Sequence, residues 1–110
     1  MKKTYQKLSD ENCGIGHAMY LLGGKWKLII LYYLLVKERK FNELHRLLEY
    51  ATETTLNSTL NELIEDELIE KIYLSYEPPR TIYRITSKGE SLRNILLDLR
   101  QFGKEELSKK

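Results

Sequence analysis

A chain of 110 residues sets one domain as the expectation, large enough for a modest core of its own. Apolar residues at 42% and charged residues at 31% exclude a disordered chain, and the longest apolar run, Leu28 to Val36, is too short to span a bilayer. The single cysteine, Cys13, excludes an internal disulfide framework; with a polar N-terminus and no apolar signal segment behind it, the chain reads as cytoplasmic, with no membrane partner.

The net charge is +2, from 18 Lys and Arg against 16 Asp and Glu, but it is unevenly placed. Residues 1–40 carry eight basic residues against three acids, residues 41–70 one against eight, and residues 71–110 nine against five. Two basic segments around an acidic middle permit a basic face if the fold brings them together.

In chain order, Ile15 to Leu22 fits a short helix stopped by Gly23-Gly24. Lys25 to Val36 predicts a second, apolar at ten of the eleven positions 26–36, with Lys27 the exception. A helix apolar all round must be buried all round, so part of it is expected to face a partner chain. After the charged break Lys37-Glu38-Arg39-Lys40, the residues Phe41, Leu44, Leu47 and Leu48 recur at helical spacing. Glu49-Tyr50-Ala51 then leads to Thr52, the expected N-cap of a fourth helix. Leu56, Leu60, Leu63 and Ile64 mark its inner face, with Thr54, Thr55, Ser58, Asn61 and Glu62 opposite.

From Ile69 the period changes to two: Ile72, Leu74 and Tyr76 alternate with Lys71, Tyr73 and Ser75, and after a break Tyr83 and Ile85 alternate with Ile82 and Arg84. The break, Glu77-Pro78-Pro79-Arg80, predicts a stiff, extended tip that holds up an arginine. Ser87-Lys88-Gly89-Glu90 has the capping-box pattern and opens a long helix with Leu92, Ile95, Leu96, Leu99 and Phe102 on one side. That stripe, together with the apolar helix, predicts a homodimer, because so small a chain cannot cover both within one core.

The fold class is therefore mainly α with a small β-hairpin (α+β). Two short helices on a tight connection followed by a two-stranded hairpin is the winged helix-turn-helix arrangement. The helix-turn-helix occupies about residues 41–66, the wing about 69–86 and the C-terminal helix about 87–108, within one domain, 1–110, whose core is 13–102. The proline tip would present Arg80 to a DNA backbone or minor groove beside the recognition helix.

The motifs "GGKW" (Gly23–Trp26), "FNEL" (Phe41–Leu44), the leucines of "LNSTLNEL" and "PPRTIYRITSKG" (Pro78–Gly89), with a cysteine before the first helix, resemble the HxlR family of bacterial transcriptional regulators. The resemblance covers about Cys13 to Phe102. It implies a winged helix-turn-helix dimer on palindromic operator DNA, with the first and last helices forming most of the dimer interface. It also implies that Cys13 can sense oxidants or electrophiles. Three departures stand out. Glu67 replaces the family's usual glycine, Cys13-Gly14 replaces Cys-Pro, and no Lys or Arg lies between Thr52 and Asp66.

The candidate base-reading residues are Thr52, Thr54, Thr55, Asn57, Ser58 and Asn61, short polar side chains less discriminating than a bidentate arginine. Candidates for wing and phosphate contact are Arg80, Lys71, Lys25, Lys40 and Arg46. Each has a plainer reading as solvated surface. Trp26, Tyr32 and Tyr33 read as core or dimer interface before they read as a ligand pocket. Cys13 and His17, four apart, are too few for a metal site; a thiol beside an imidazolium suits redox sensing better. No catalytic constellation, phosphate loop, metal set or cofactor motif is present, so the expectation is not an enzyme. The expected function is a homodimeric, sequence-specific regulator of double-stranded DNA, its effector unnamed. The competing reading is a winged-helix module that binds protein instead.

Overall fold

The computed structural model describes residues 2–110. Seven helices and one hairpin follow in the order α1 (Lys2–Asp10), α2 (Gly14–Leu22), α3 (Lys27–Val36), α4 (Phe41–Leu47), α5 (Glu53–Glu65), β1 (Ile69–Tyr76), β2 (Pro79–Ile85), α6 (Ser87–Glu90) and α7 (Arg93–Leu107). This is the winged helix-turn-helix order: α4 and α5 form the helix-turn-helix and β1–β2 the wing.

The core gathers around α3. Ile30, Leu31 and Leu34 meet Leu44 of α4, Leu56, Leu60 and Leu63 of α5, and Ile69 at the root of the wing. Each such side chain, fully withdrawn from water, contributes roughly 1.5–3 kcal/mol, so α5 is fixed by its leucine row rather than by intrinsic helix preference. Thr59 also points inward and satisfies its hydroxyl by donating to the Thr55 carbonyl at 2.8 Å. The α3–α4 link is tied to the wing, because Arg39 and Tyr83 exchange two backbone hydrogen bonds of 3.0 and 2.7 Å.

Several sequence expectations are corrected. The polar N-terminus forms a helix, α1, which buries no side chain and lies along α2. Its Lys2 ammonium reaches Asp66, the C-cap of α5, at 2.8 Å. Partial burial works against the lysine's charge, but the Asp66 hydrogen bond and charge outweigh it, and its pKa is raised. A raised lysine contributes its full stability below its unfolded-state pKa and loses it only as pH climbs through the folded value, so this anchor weakens in strong alkali. The C-terminal helix is not one piece: α6 ends at Glu90, and α7 starts at Arg93. The cap is Thr86 rather than Ser87, its hydroxyl accepting from the Gly89 amide and donating to the Glu67 carbonyl. Lys27, placed on an otherwise apolar helix, is 3% exposed, whereas Ile29 and Val36 reach solvent.

The wing also differs. The turn is only Glu77 and Pro78, with a cis peptide between them, and Pro79 already pairs with Tyr76 as the first residue of β2. Arg80 is thus a strand residue opposite Ser75, not the end of an extended tip. The even alternation along β1 breaks at a bulge between Tyr73 and Ser75, leaving Leu74 without a cross-strand partner.

Glu67 takes the left-handed conformation that ends α5, with φ 62°. Its amide bonds to the Ile64 carbonyl at 2.9 Å and that of Leu68 to the Leu63 carbonyl at 3.0 Å, the paired closure of a Schellman ending. A side chain there costs about 1–2 kcal/mol, while glycine costs roughly 0.5–1 kcal/mol in unfolded-state entropy. Glu67→Gly should therefore stabilise the fold by about 0.5 kcal/mol. A urea midpoint that falls instead would show that the glutamate is unstrained.

Candidate nucleic-acid interface

The exposed side of α5 and the inner face of the wing bound a groove of about 840 Å³. Thr52 begins this helix by accepting a hydrogen bond from the Thr55 amide at 3.1 Å, as expected of an N-cap. Because Leu56, Leu60 and Leu63 turn inward, Thr54, Asn57, Ser58 and Asn61 turn out and line the groove together. Lys71 and Thr81 face them from the two strands, with Phe41 and Tyr83 at its base. Glu53, Glu62 and Glu65 border it as well, so the groove suits uncharged polar edges better than bare phosphate.

Other candidates are distributed differently. Thr55 lies on the α3 side of the helix with Lys25, beside a smaller cavity of about 290 Å³ formed with Gly23–Lys27. Its hydroxyl already accepts from Thr52 Oγ1 at 2.9 Å. Glu62 borders both spaces and is drawn back by Lys27, whose ammonium lies 3.6 Å from its carboxylate and 3.4 Å from the Leu21 carbonyl.

Lys40 is the exposed N-cap of α4; its amide donates to the Glu43 carboxylate at 3.0 Å, which, with the nearby cations, holds Glu43 below the usual carboxylate range. Arg46 sits with Asn42 and His45 of α4 and Glu49 of the turn after it, away from the α5–wing groove. Arg80 is exposed on β2.

Cys13 caps α2, its Sγ accepting from the Gly16 amide at 3.4 Å. The His17 ring is occupied elsewhere, bonded to Ser9 Oγ at 2.5 Å and stacked on Tyr20. Among the described residues no group of three metal-ligating side chains is assembled, and no single helix is long and apolar enough to cross a membrane.

The proposed dimer stripe divides in two. Leu96 is buried and Leu92 packs on the same core, whereas Ile95, Leu99 and Phe102 remain exposed. Leu99 joins Leu28, Ile29, Tyr32 and Tyr33 in an apolar groove of about 540 Å³ between α3 and α7. Tyr32 and Tyr33 thus belong to this surface, while Trp26 packs on the core and borders the cavity beside Thr55. Thr81 was missed in the sequence because nothing distinguishes it from other strand threonines until the hairpin register is known.

A polar recognition helix docked by its leucines beside a wing defines a winged helix-turn-helix transcriptional regulator. The comparisons agree: residues 21–110 match the HxlR-like helix-turn-helix model, and the chain belongs to that family. It is 32% identical to the uncharacterized HTH-type transcriptional regulator YdeP of Bacillus subtilis, over 92% of this chain and 79% of that protein. It is 37% identical to a regulatory protein, MalR, of Fusobacterium mortiferum, over 91% and 95% respectively. Among solved structures, the redox regulator HypR in its oxidized form superposes with a TM-score of 0.81 at 29% identity, covering 84% of this chain and 96% of that one.

Proposed function

We propose that the protein regulates transcription as a homodimer bound to double-stranded DNA, with the first half of α5 in the major groove and the wing on the flanking backbone. The observation that carries this reading is the exposed row Thr54, Asn57, Ser58 and Asn61, held rigid by the leucines behind it and facing Lys71 across an open groove. Asn61 can pair bidentately with an adenine edge, and threonine and serine hydroxyls suit either strand. Lys25 in the bend before α3, with Arg80 and Lys71 on the wing, supplies charge for phosphate on either side.

The apolar groove between α3 and α7, with Ile95 and Phe102 exposed beside it, suits the α7 helix of a second copy. A twofold dimer would place two recognition helices on a palindrome. Cys13 is the residue through which the regulator would answer oxidants, in line with its likeness to HypR and, at 27% identity, to the reduced form of YodB from B. subtilis. Its place as the cap of α2 puts any oxidation at the junction of α1 and α2.

Ser58→Ala and Asn61→Ala should each leave the melting temperature almost unchanged, since both side chains are exposed. Each should weaken binding to DNA from the gene's own upstream region by about 1–3 kcal/mol while sparing random DNA. Affinities for both duplexes at one fixed salt concentration decide the matter. If both variants keep the wild-type ratio of specific to random binding, α5 does not read bases. If the wild type binds neither duplex, and the same changes abolish capture of a protein partner, the module binds protein instead.

A further inference from the structure

The bulge in β1 does more than interrupt the ladder. In a regular strand, residues three apart point to opposite faces. The extra residue at Leu74 cancels that alternation, so Tyr73 and Tyr76 emerge on the same face, with ring centroids 5.9 Å apart and planes within 12° of parallel. Tyr73 is 55% exposed and Tyr76 77% exposed, a large aromatic surface for a small hairpin to leave in water. The Lys71 ammonium lies 5.5 Å from the Tyr73 ring and 5.8 Å from the Tyr83 ring. Tyr73 pairs across the sheet with Thr81, which lines the α5 groove together with Lys71. The tyrosine pair therefore prolongs the recognition groove outward along the wing without a break.

We propose that the stacked Tyr73–Tyr76 pair is a second DNA-contact surface, which packs on deoxyribose and donates its phenol hydroxyls to phosphate in the minor groove next to the recognition site. This rests on the reading of α5 as a DNA-recognition helix. The two surfaces have matching reach. From Lys71 to Tyr76 the bulged strand runs only the four steps of its partner, Tyr83 to Pro79, about 13 Å at ~3.3 Å per residue, and the length of the Tyr76 side chain carries the contact on toward the ~17 Å half-turn that separates a major groove from the next minor groove. The flanking charge favours a polyanion, since Lys71 stands on one side and Arg80 on the opposite strand, against Glu77 alone in the turn. Tyrosine suits this contact because its ring tolerates any sequence while its hydroxyl finds phosphate. The pair thus anchors rather than selects.

Anisotropy titrations of the full chain, using a duplex from the gene's own upstream region and a random duplex, test this with Tyr76→Phe, Tyr76→Ala, Tyr73→Ala and Asn61→Ala. Tyr76→Ala and Tyr73→Ala should weaken both duplexes by similar factors, about tenfold, without changing the salt slope, because no charge is lost. Tyr76→Phe should fall between them and the wild type. Bound DNA should also protect Tyr76 from nitration by tetranitromethane, a readout independent of any effect of the substitutions on folding. Full affinity in both alanine variants, with Tyr76 nitrated at the same rate in free and bound protein, overturns the proposal; if Asn61→Ala still loses selectivity then, the reading of α5 stands. A wild type that binds neither duplex overturns both.

Discussion

Gly89→Ala is expected to destabilise the protein by about 3 kcal/mol, although alanine is the better helix former by up to ~1 kcal/mol. A Cβ on Gly89 would run into the Leu68 carbonyl oxygen and come within 2.5 Å of Ile85 Cγ1. The isoleucine could turn aside, but the carbonyl is backbone and accepts the Thr86 amide at 3.1 Å. Relief requires α6 to move off the root of the wing, where the hairpin, the end of α5 and the last two helices meet. The clash should win over helix preference by a wide margin. Urea denaturation decides it, and a variant as stable as the wild type would mean that α6 is free to shift.

A second large effect concerns Lys27 and Glu62, and its mark is asymmetry. The ammonium is buried, while the Glu62 side chain is 42% exposed. Lys27→Met keeps the apolar stem and lets Glu62 turn to water, so stability should stay within about 1 kcal/mol of the wild type. Glu62→Gln strands a buried charge and should cost about 2 kcal/mol, less than the ~3–5 of a fully buried pair because solvent already screens this one. If the α5 groove takes DNA as proposed, the order should reverse there: Lys27→Met leaves an unbalanced carboxylate on the groove, whereas Glu62→Gln removes one. Equal stability losses in the two variants would contradict this account.

Where hydrophobic period carried the information, the sequence could be read closely. The change from helical spacing to alternation at Ile69 marked the wing, the row Leu56, Leu60, Leu63 oriented α5, and Thr52 was the expected cap. What escaped was structure without a period. α1 buries nothing, so no apolar stripe announces it. The bulge at Leu74 was hidden because Ile72, Leu74 and Tyr76 look like one apolar face until the register is known. The break between α6 and α7 carries no proline, and the capping-box pattern from Ser87 to Glu90 pointed to Ser87, one residue past the actual cap, Thr86. The polar face of α5 was legible as a set, but its division between Thr54, Asn57, Ser58 and Asn61 on one side and Thr55 on the other needed the neighbouring elements in place. The burial of Lys27 was not legible at all, since a lysine at the start of an apolar helix is as easily solvated as enclosed.

α1 has a consequence for how the molecule opens. It covers α2 without burying a side chain, and its described ion pair to α5 is the one between Lys2 and Asp66. Such a helix can detach without exposing the core, at a free energy well below that of global unfolding. In the isolated chain its amides should exchange with deuterium by local opening, while those of α3 and α5 wait for the whole domain to unfold. Two separate exchange clocks would then run in one small protein, with the boundary near Asn12, where the backbone turns through φ 59° between the two helices.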